Sequence, residues 1–463
     1  MSEKQDFKHS KLEMASYGAG PALNQFFRMA YVSLVFYFYE SEIGLNTWLV
    51  GIAYIIFAIW NAINDPLVGF LTDRPFKFTK KWGRRFPWTM MAGIPWVFSY
   101  ILIYAIPPVN PVSGALIIFI WLIFSTCLFD TFNSIWWVNF YSVFPDKFSD
   151  LNERRTASGI ITPIGVIGIA LGGILPPLLI TYGYSFSYII QAIVISFIGL
   201  IILFLGIPGW RDDPKSVQKY LETYEEQKSE LSFFKTLKEA FKQRAFVVYI
   251  IIYFCFQVLI FSIQSSIPYF VRFVLLKSEN IQLFMQVAFL IGALASIPFW
   301  IKLVKKTKNN KFVYLISATF LAAFSLPLSF LTNIFLILGL IVIWGVFLGG
   351  LWIMERPILS DVVDESVILT KKRKEATYVS IIMFFNRLAI IVQVFIFVIV
   401  HSLTGFVEGA ATQPELAQIG IRLHFGLIPM IFLAIGALIF WRYYDLTPKR
   451  VDEVQYELRE LKI

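Results

Sequence analysis

Run after run of about 20 apolar residues, broken by short polar loops, fills this chain, and that is the length a helix needs to cross the hydrocarbon of a bilayer. Lipid offers no water to bond the backbone, so each run must satisfy its own peptide groups by coiling as an α-helix. Twelve spans can be set out, beginning near Tyr17, Trp48, Pro87, Gly114, Ser158 and Ser185 in the first half and near Phe246, Ile281, Phe312, Asn333, Ala376 and Ile421 in the second. Composition agrees: 57% of the 463 residues are hydrophobic and mean hydropathy is +0.67, far above a soluble chain of this length. The expected fold class is an all-α membrane protein of twelve transmembrane helices.

Charge then sets orientation. The net charge of +9 is concentrated in short loops between apolar runs, which reads as membrane topology and not as a nucleic-acid surface. Asp73 to Arg85 carries Arg74, Lys77, Lys80, Lys81, Arg84 and Arg85, whereas Ser41 to Thr47 and Pro107 to Ser113 carry no lysine or arginine. Both termini are therefore expected on the cytoplasmic side of the cell membrane. Met1 to Glu13 is polar and runs straight into a full-length span, so no cleavable leader is expected. Cys127 and Cys255 fall in apolar stretches, where a thiol behaves as a small hydrophobe and no disulfide framework follows.

Residues 1–208 and 246–447 each hold six spans, 209–245 reads as a charged cytoplasmic linker and 448–463 as a similar tail. Neither of these polar segments is long enough to bury a core. A weak repeat relates the halves. Asp146 and Asp150 precede Arg154-Arg155-Thr-Ala157 after the fourth span, and Asp361 and Asp364-Glu365 precede Lys372-Arg373-Lys-Glu375-Ala376 after the tenth. Two pseudo-symmetric six-helix bundles are the signature of major facilitator architecture, with a substrate site near the bilayer midplane.

Asp65 lies in the second of these spans, where a carboxylate costs about 3 kcal/mol on insertion scales and persists chiefly where a cation, proton or substrate uses it. Asn61, Asn64 and Asp65 fall at i, i+3 and i+4 and share a helical face. The first span adds Asn24, Gln25 and Arg28, and the fourth adds Asp130, Asn133, Ser134 and Trp137, with Arg28, Asp65 and Asp130 within about two turns of the midplane. Such charges should compensate one another, so Arg28 is expected to pair with Asp130 or Asp65, either as a permanent bridge or as part of a site. The eleventh span carries Asn386 and Arg387, a cation suited to an anionic headgroup or carboxylate. Trp136, Gln257 and Gln264 are weaker candidates, since buried amides also simply join helices.

These residues resemble the glycoside-pentoside-hexuronide cation symporters, the melibiose permease family of the major facilitator superfamily. The resemblance is carried by Tyr17-Gly-Ala-Gly20; by Trp60-Asn-Ala-Ile-Asn-Asp-Pro66 running into Gly69-Phe-Leu-Thr-Asp73-Arg and Trp82-Gly-Arg84-Arg85-Phe-Pro-Trp88; and by Asp361-Val-Val-Asp364-Glu365 with Lys372-Arg373-Lys-Glu375-Ala-Thr-Tyr378. The lysophospholipid symporters of animals look like distant members of the same group. The resemblance implies a cation site on the second span at Asn61, Asn64 and Asp65, with Ser134 as a helper hydroxyl and sodium or a proton as the coupling ion. Here one family carboxylate is the amide Asn61, which should weaken a sodium site because hard cations favour charged oxygen ligands. The family's sugar-gripping positions align with Gln25, Trp137 and Thr162, so a bidentate carboxylate grip on hydroxyls is missing. Asp73, Arg84, Arg85, Asp146, Arg154, Asp361 and Arg373 resemble loop motifs whose salt bridges close the cytoplasmic side.

The leading expectation is a symporter of a sugar or glycoside, with Asp65 coupling to H+ or Na+ and Gln25, Arg28, Asp130, Asn133, Trp137 and Arg387 lining the solute. A lysolipid or other amphipathic anion gripped by Arg387 or Arg28 is the alternative, and a non-transporting membrane receptor is the reading from another class. No enzyme is expected, since His9, His401 and His424 have no carboxylate or cysteine at catalytic or metal-ligand spacing. The expected partners are a small-molecule solute and membrane lipid, without nucleic acid and without a cofactor beyond the coupling ion, and the chain is expected to be monomeric.

Overall fold

The computed structural model describes residues 9–72, 76, 79–148, 150–213, 217–218, 240–370 and 375–460, and no strand occurs among them. Two compact units divide the chain, Met1–Ser229 and Glu230–Ile463. The first contains α1 (Lys11–Tyr37), α2 (Thr47–Thr72), α3 (Phe86–Tyr104), α4 (Ala115–Lys147), α5 (Leu151–Leu179) and α6 (Ser185–Trp210). The second contains α7 (Arg244–Tyr269), α8 (Asn280–Thr307), α9 (Asn310–Ser325), α10 (Ile334–Thr370), α11 (Glu375–Thr404), α12 (Glu415–Tyr443) and a terminal α13 (Pro448–Glu460). Eleven of the described helices are long and apolar enough to cross a membrane, not twelve. The one that falls short is α1, which carries Lys11, Glu13, Asn24, Gln25 and Arg28.

Helix starts differ most from the apolar runs where polar caps extend the helix. Ser10 and Glu13 form a reciprocal capping box, with the Glu13 N–H donating to Ser10 Oγ at 3.2 Å and the Ser10 N–H to Glu13 Oε2 at 2.9 Å. At the head of α5, the Glu153 N–H donates to Asp150 Oδ1 at 2.9 Å. Hydropathy alone cannot see such a turn, because its residues are polar. The interval 209–245 is likewise narrower than expected, as α6 continues through Trp210 and α7 starts at Arg244.

A conformational repeat joins the two units more firmly than the loop charges do. Helix α1 ends in a π-helical turn, Phe38–Glu42, and α7 ends in another, Phe270–Val274. In the first, Ile43 N–H bonds Phe38 O at 3.0 Å and Leu45 N–H bonds Tyr39 O at 2.9 Å; in the second, Leu275 N–H bonds Phe270 O at 2.9 Å and Lys277 N–H bonds Val271 O at 3.1 Å. The residue between each pair of donors has positive φ: Gly44 at 79° and Leu276 at 52°. Glycine adopts that conformation freely, whereas leucine pays roughly 1–2 kcal/mol for it.

Glycines also set the closest helix pairs, as small residues do in lipid, where packing has to replace hydrophobic drive. A Cβ on Gly168 or Gly172 of α5 would overlap the carbonyl oxygens of Ala22 or Phe26 on α1. In the second unit the seam joins α8 to α10, where Gly292 meets Val342 O, and Gly345 and Gly349 meet Phe289 O and Ala293 O.

Two substitutions check these readings. Leu276→Gly, at a side chain 71% exposed, should raise the unfolding free energy by about 1 kcal/mol, read as a higher thermal midpoint. Gly168→Ala should lower it by about 1–3 kcal/mol through overpacking, while Gly159→Ala on the same helix, with open space around it, should not.

Candidate functional site

The polar residues of α2 and α4 face one another across a single seam. Trp60 Nε1 donates to Thr131 Oγ1 at 3.0 Å, Asn61 Nδ2 to Asp130 Oδ1, Asn64 Nδ2 to Asp130 Oδ2 at 3.2 Å, and Ser134 Oγ to Asp65 Oδ1. The Asn61–Asp130 and Asp65–Ser134 ties both span 69 residues, so α2 and α4 run parallel in fixed register. One further tie brings in α1, where Asn24 Nδ2 reaches Asn133 Oδ1 at 3.4 Å. Thus the i, i+3, i+4 face read from the sequence meets the polar residues that α4 presents opposite it.

Asp130, assigned to the solute from sequence alone, belongs geometrically with the α2 set. It is 3% exposed and each of its carboxylate oxygens takes an amide hydrogen, from Asn61 or Asn64. A hydrogen bond to an ionised acceptor is worth about 1.5–3 kcal/mol, and its strength grows in low dielectric. The surroundings are aromatic: Tyr31 stacks on Phe129 at 5.8 Å, and Phe129 also meets Phe27 and Trp96. Because both amides turn their nitrogens to Asp130, their carbonyl oxygens point away from it, toward where a cation could find oxygen ligands. Asp65 is only half-buried, so the seam pairs an enclosed carboxylate with an accessible one. With the amide Asn61 where the resembled family has a carboxylate, the cluster still holds two carboxylates, Asp65 and Asp130. That is a donor set which fits a hard cation, and equally a proton on Asp65.

The remaining expected residues lie on α1, α4 and α11. Gln25 is half-buried on α1, and Arg28, one turn beyond Asn24, is exposed. Trp137 is half-buried against Phe140 and Tyr141 of its own helix, at ring-centroid distances of 5.7 Å each. Trp136 is fully buried, stacked at 5.0 Å on Phe140 and at 5.0 Å on Trp96, which makes it core rather than solute contact. In the second unit Arg387 is half-buried on α11, and its neighbour Asn386 donates Nδ2 to Tyr253 Oη at 3.2 Å.

The loop charges have a local role that hydropathy and spacing did not suggest: they cap helices within each unit. Asp212 Oδ2 accepts the N–H groups of Arg85 and Phe86 at 2.9 Å each, closing the start of α3, and Arg85 Nη1 donates to Asn139 Oδ1 at 3.2 Å. Gly83, with φ at 99°, makes room, since a Cβ there would overlap Asp212 Oδ2. Arg154 Nε bonds the carbonyl of Phe148 at the end of α4 at 3.0 Å, and Lys147 Nζ bonds that of Gly209 in α6 at 2.9 Å. Arg84 is half-buried. In the second unit Asp361 accepts from Asn310 Nδ2 at 2.8 Å, Asp364 from Gln455 Nε2 at 2.8 Å and Glu365 from Gln243 Nε2 at 2.6 Å. Asp73 and Arg373 lie outside the described residues, as does the side chain of Asp146.

Sequence reasoning also passed over the histidines of the second unit. His401 and His424 are 23 residues apart, yet their Nε2 atoms approach to 3.1 Å, and His424 Nδ1 lies 2.6 Å from Ser266 Oγ. Ser266 Oγ and His424 Nδ1 share one hydrogen bond, and the two Nε2 atoms of His401 and His424 share another, so the three side chains form a continuous buried polar chain. No local spacing signals this chain, since the fold alone brings α7, α11 and α12 together there.

Restoring the second charge of the α2 face tests the cluster. Asn61→Asp should tighten sodium binding by about tenfold, ~1.4 kcal/mol, read as a larger sodium-dependent rise in thermal midpoint than in the parent protein.

Comparison with known proteins agrees with the geometry. The family described as MFS/sugar transport protein matches residues 16–447. A sodium-dependent lysophosphatidylcholine symporter 1-A of Danio rerio is 23% identical over 459 residues, covering 90% of this chain and 82% of that protein. An uncharacterized symporter of Synechocystis sp. is 23% identical, covering 96% of each chain, and a sphingosine-1-phosphate transporter of Xenopus tropicalis is 22% identical, covering 100% of this chain and 93% of its own. In fold, a D-xylose-proton symporter superposes with a TM-score of 0.61 at 14% identity, covering 94% of this chain and 96% of that one. A bacterial homologue of the human lysosomal transporter Spinster, inward-facing and unoccupied, also gives 0.61, at 13% identity over 96% and 98% of the two chains. With its all-helical fold and its paired carboxylate seam, this chain belongs to the MFS/sugar transport protein family, as a multi-pass membrane transporter of the major facilitator superfamily.

Proposed function

We propose that this protein is a cation-coupled symporter of a lysolipid or similar amphipathic anion, working by alternating access. The observation that carries the coupling is the α2–α4 seam: Asp130 is enclosed and takes a hydrogen from each of two amides, while Asp65 is half-buried and accepts from Ser134 Oγ. Asp65 is then the group that takes up sodium or a proton, and Asp130 fixes the amides that help it. Burying a cation there compensates a carboxylate that would otherwise cost free energy in the membrane.

The substrate class rests on two supports. Relatives along nearly the whole chain are named for lysophosphatidylcholine and sphingosine-1-phosphate, and Gln25, Trp137 and Thr162 lack the carboxylates and arginine of a sugar grip. In this reading Arg387 or Arg28 holds the anionic headgroup, with Gln25 and Asn133 as neutral contacts. A sugar or glycoside is the second reading, favoured by the family's description and by Trp137, whose ring could stack on a sugar face. The gating set is Arg84, Arg85 and Arg154 with Asp73 and Asp146 on one unit and Asp361 and Arg373 on the other. The protein acts as a monomer in the cell membrane with both termini cytoplasmic, and needs no cofactor beyond its coupling ion.

Uptake into proteoliposomes tests the reading. A lysophospholipid should accumulate against its gradient when a sodium or proton gradient is imposed, and Asp65→Asn should cut that accumulation by at least about tenfold. Arg387→Gln or Arg28→Gln should abolish lysolipid binding. Accumulation of a glycoside instead would select the sugar reading, undiminished uptake by Asp65→Asn would remove Asp65 from coupling, and binding without flux would make the protein a receptor.

A further inference from the structure

A groove of about 480 Å3 runs between α9 and α12 in the second unit, within the size range of small-molecule sites. Its floor is kept low by Ala323 and Ala434, and Leu315, Leu438 and Trp441 stand beside it, the last two 61% and 59% exposed. Both helices cross the membrane, so the face meets lipid. One end is charged from both sides. Lys311 sits one turn before Leu315 on α9, and its Nζ donates to Tyr444 O at 2.6 Å where α12 ends. Arg442 sits one turn after Leu438 on α12, with its Cζ 5.7 Å from the Tyr443 ring, and Arg244 stacks on the same ring at 5.5 Å. Asp445 lies close enough to act on Lys311, which leaves the Arg442 guanidinium as the exposed positive charge at this end.

An alanine floor with a tryptophan beside it accommodates an acyl chain, and the Arg442 guanidinium with the Lys311 ammonium at its end matches a phosphate, which arginine can grip through paired N–H groups. We infer that this groove binds an anionic phospholipid of the bilayer, with one acyl chain along Ala323 and Ala434 and the phosphate at Arg442 and Lys311. The site lies within the second unit and is independent of which solute the protein carries. Lys311 and the arginines stand at the end where loop charge places the cytoplasm, which is where anionic lipids meet basic groups.

The test uses the full chain in detergent, titrated with phosphatidylglycerol, with phosphatidylcholine of the same chains, and with soluble glycerol phosphate. Phosphatidylglycerol should raise the thermal midpoint at several-fold lower concentration than phosphatidylcholine, and glycerol phosphate should not. Arg442→Gln should weaken the phosphatidylglycerol effect by about fivefold or more, as one lost charge-assisted contact would. Ala434→Leu, which fills the floor without touching a charge, should weaken both lipids. Brominated-chain phosphatidylglycerol should quench the parent protein more than Trp441→Phe, which locates the chain even if a charge variant folds poorly. Equal action of the two lipids, stabilisation by glycerol phosphate alone, or identical quenching of parent and Trp441→Phe would overturn the inference.

Discussion

A carboxylate held in the middle of a membrane has to be solvated by protein, and in this molecule Asp130 is solvated by two side-chain amides from a neighbouring helix. The polar seam between α2 and α4 follows from that requirement. The amides must come from one face of α2, which fixes the spacing of Asn61 and Asn64. Their register on α4 then places Asp65 against Ser134. An arrangement of this kind is costly unless complete, because one missing donor leaves a buried charge short of a partner. The aromatic wall of Tyr31, Phe129 and Trp96 excludes competing solvent and sharpens that demand.

The two units share an ancestral plan yet divide their labour differently. The π-helical turns that end α1 and α7 match bond for bond, including the positive φ of Gly44 and Leu276. Their close-packed seams do not match. In the first unit glycines draw α1 against α5, and α2 against α4 is left to polar side chains; in the second unit it is the counterparts of α2 and α4, namely α8 and α10, that glycines draw together. Backbones that close leave no width for a carboxylate with its ring of donors. The carboxylate seam is consequently a property of one unit, and the repeat in sequence is correspondingly faint.

Much of the architecture was legible because lipid imposes it locally. Nine of the twelve helix starts lie within two residues of where hydropathy puts them, and two more, those of α1 and α5, are displaced by a capped polar turn, such as that of Ser10 and Glu13. The face of Asn61, Asn64 and Asp65 was legible for the same reason, since i, i+3, i+4 spacing is a one-helix property. What could not be read was pairing between helices. Asp130 was placed with the solute although it faces the α2 amides, and Trp136 is core. The histidine chain through Ser266 joins three helices, so no window of sequence contains it. Asp212 looked like part of a solvated linker, and only the fold shows it closing the start of α3.

The glycine seam of α1 and α5 has a mechanical side. Where two helices touch through backbone, with no interlocking ridges at Gly168 and Gly172, one can slide along the other without changing a rotamer at those points, so shear between them is cheap. Beside the carboxylate seam the tie of α1 to α4 is thin, since the Asn24–Asn133 bond at 3.4 Å is near the limit of a hydrogen bond, whereas the N-terminal turns of α1 are held by Tyr17 Oη donating to Phe140 O at 2.9 Å and Ser16 Oγ to Leu205 O at 2.6 Å. Helix α1 is in that sense a runner on a smooth rail beside the carboxylate seam, pinned near its N-terminal end by Ser16 and Tyr17.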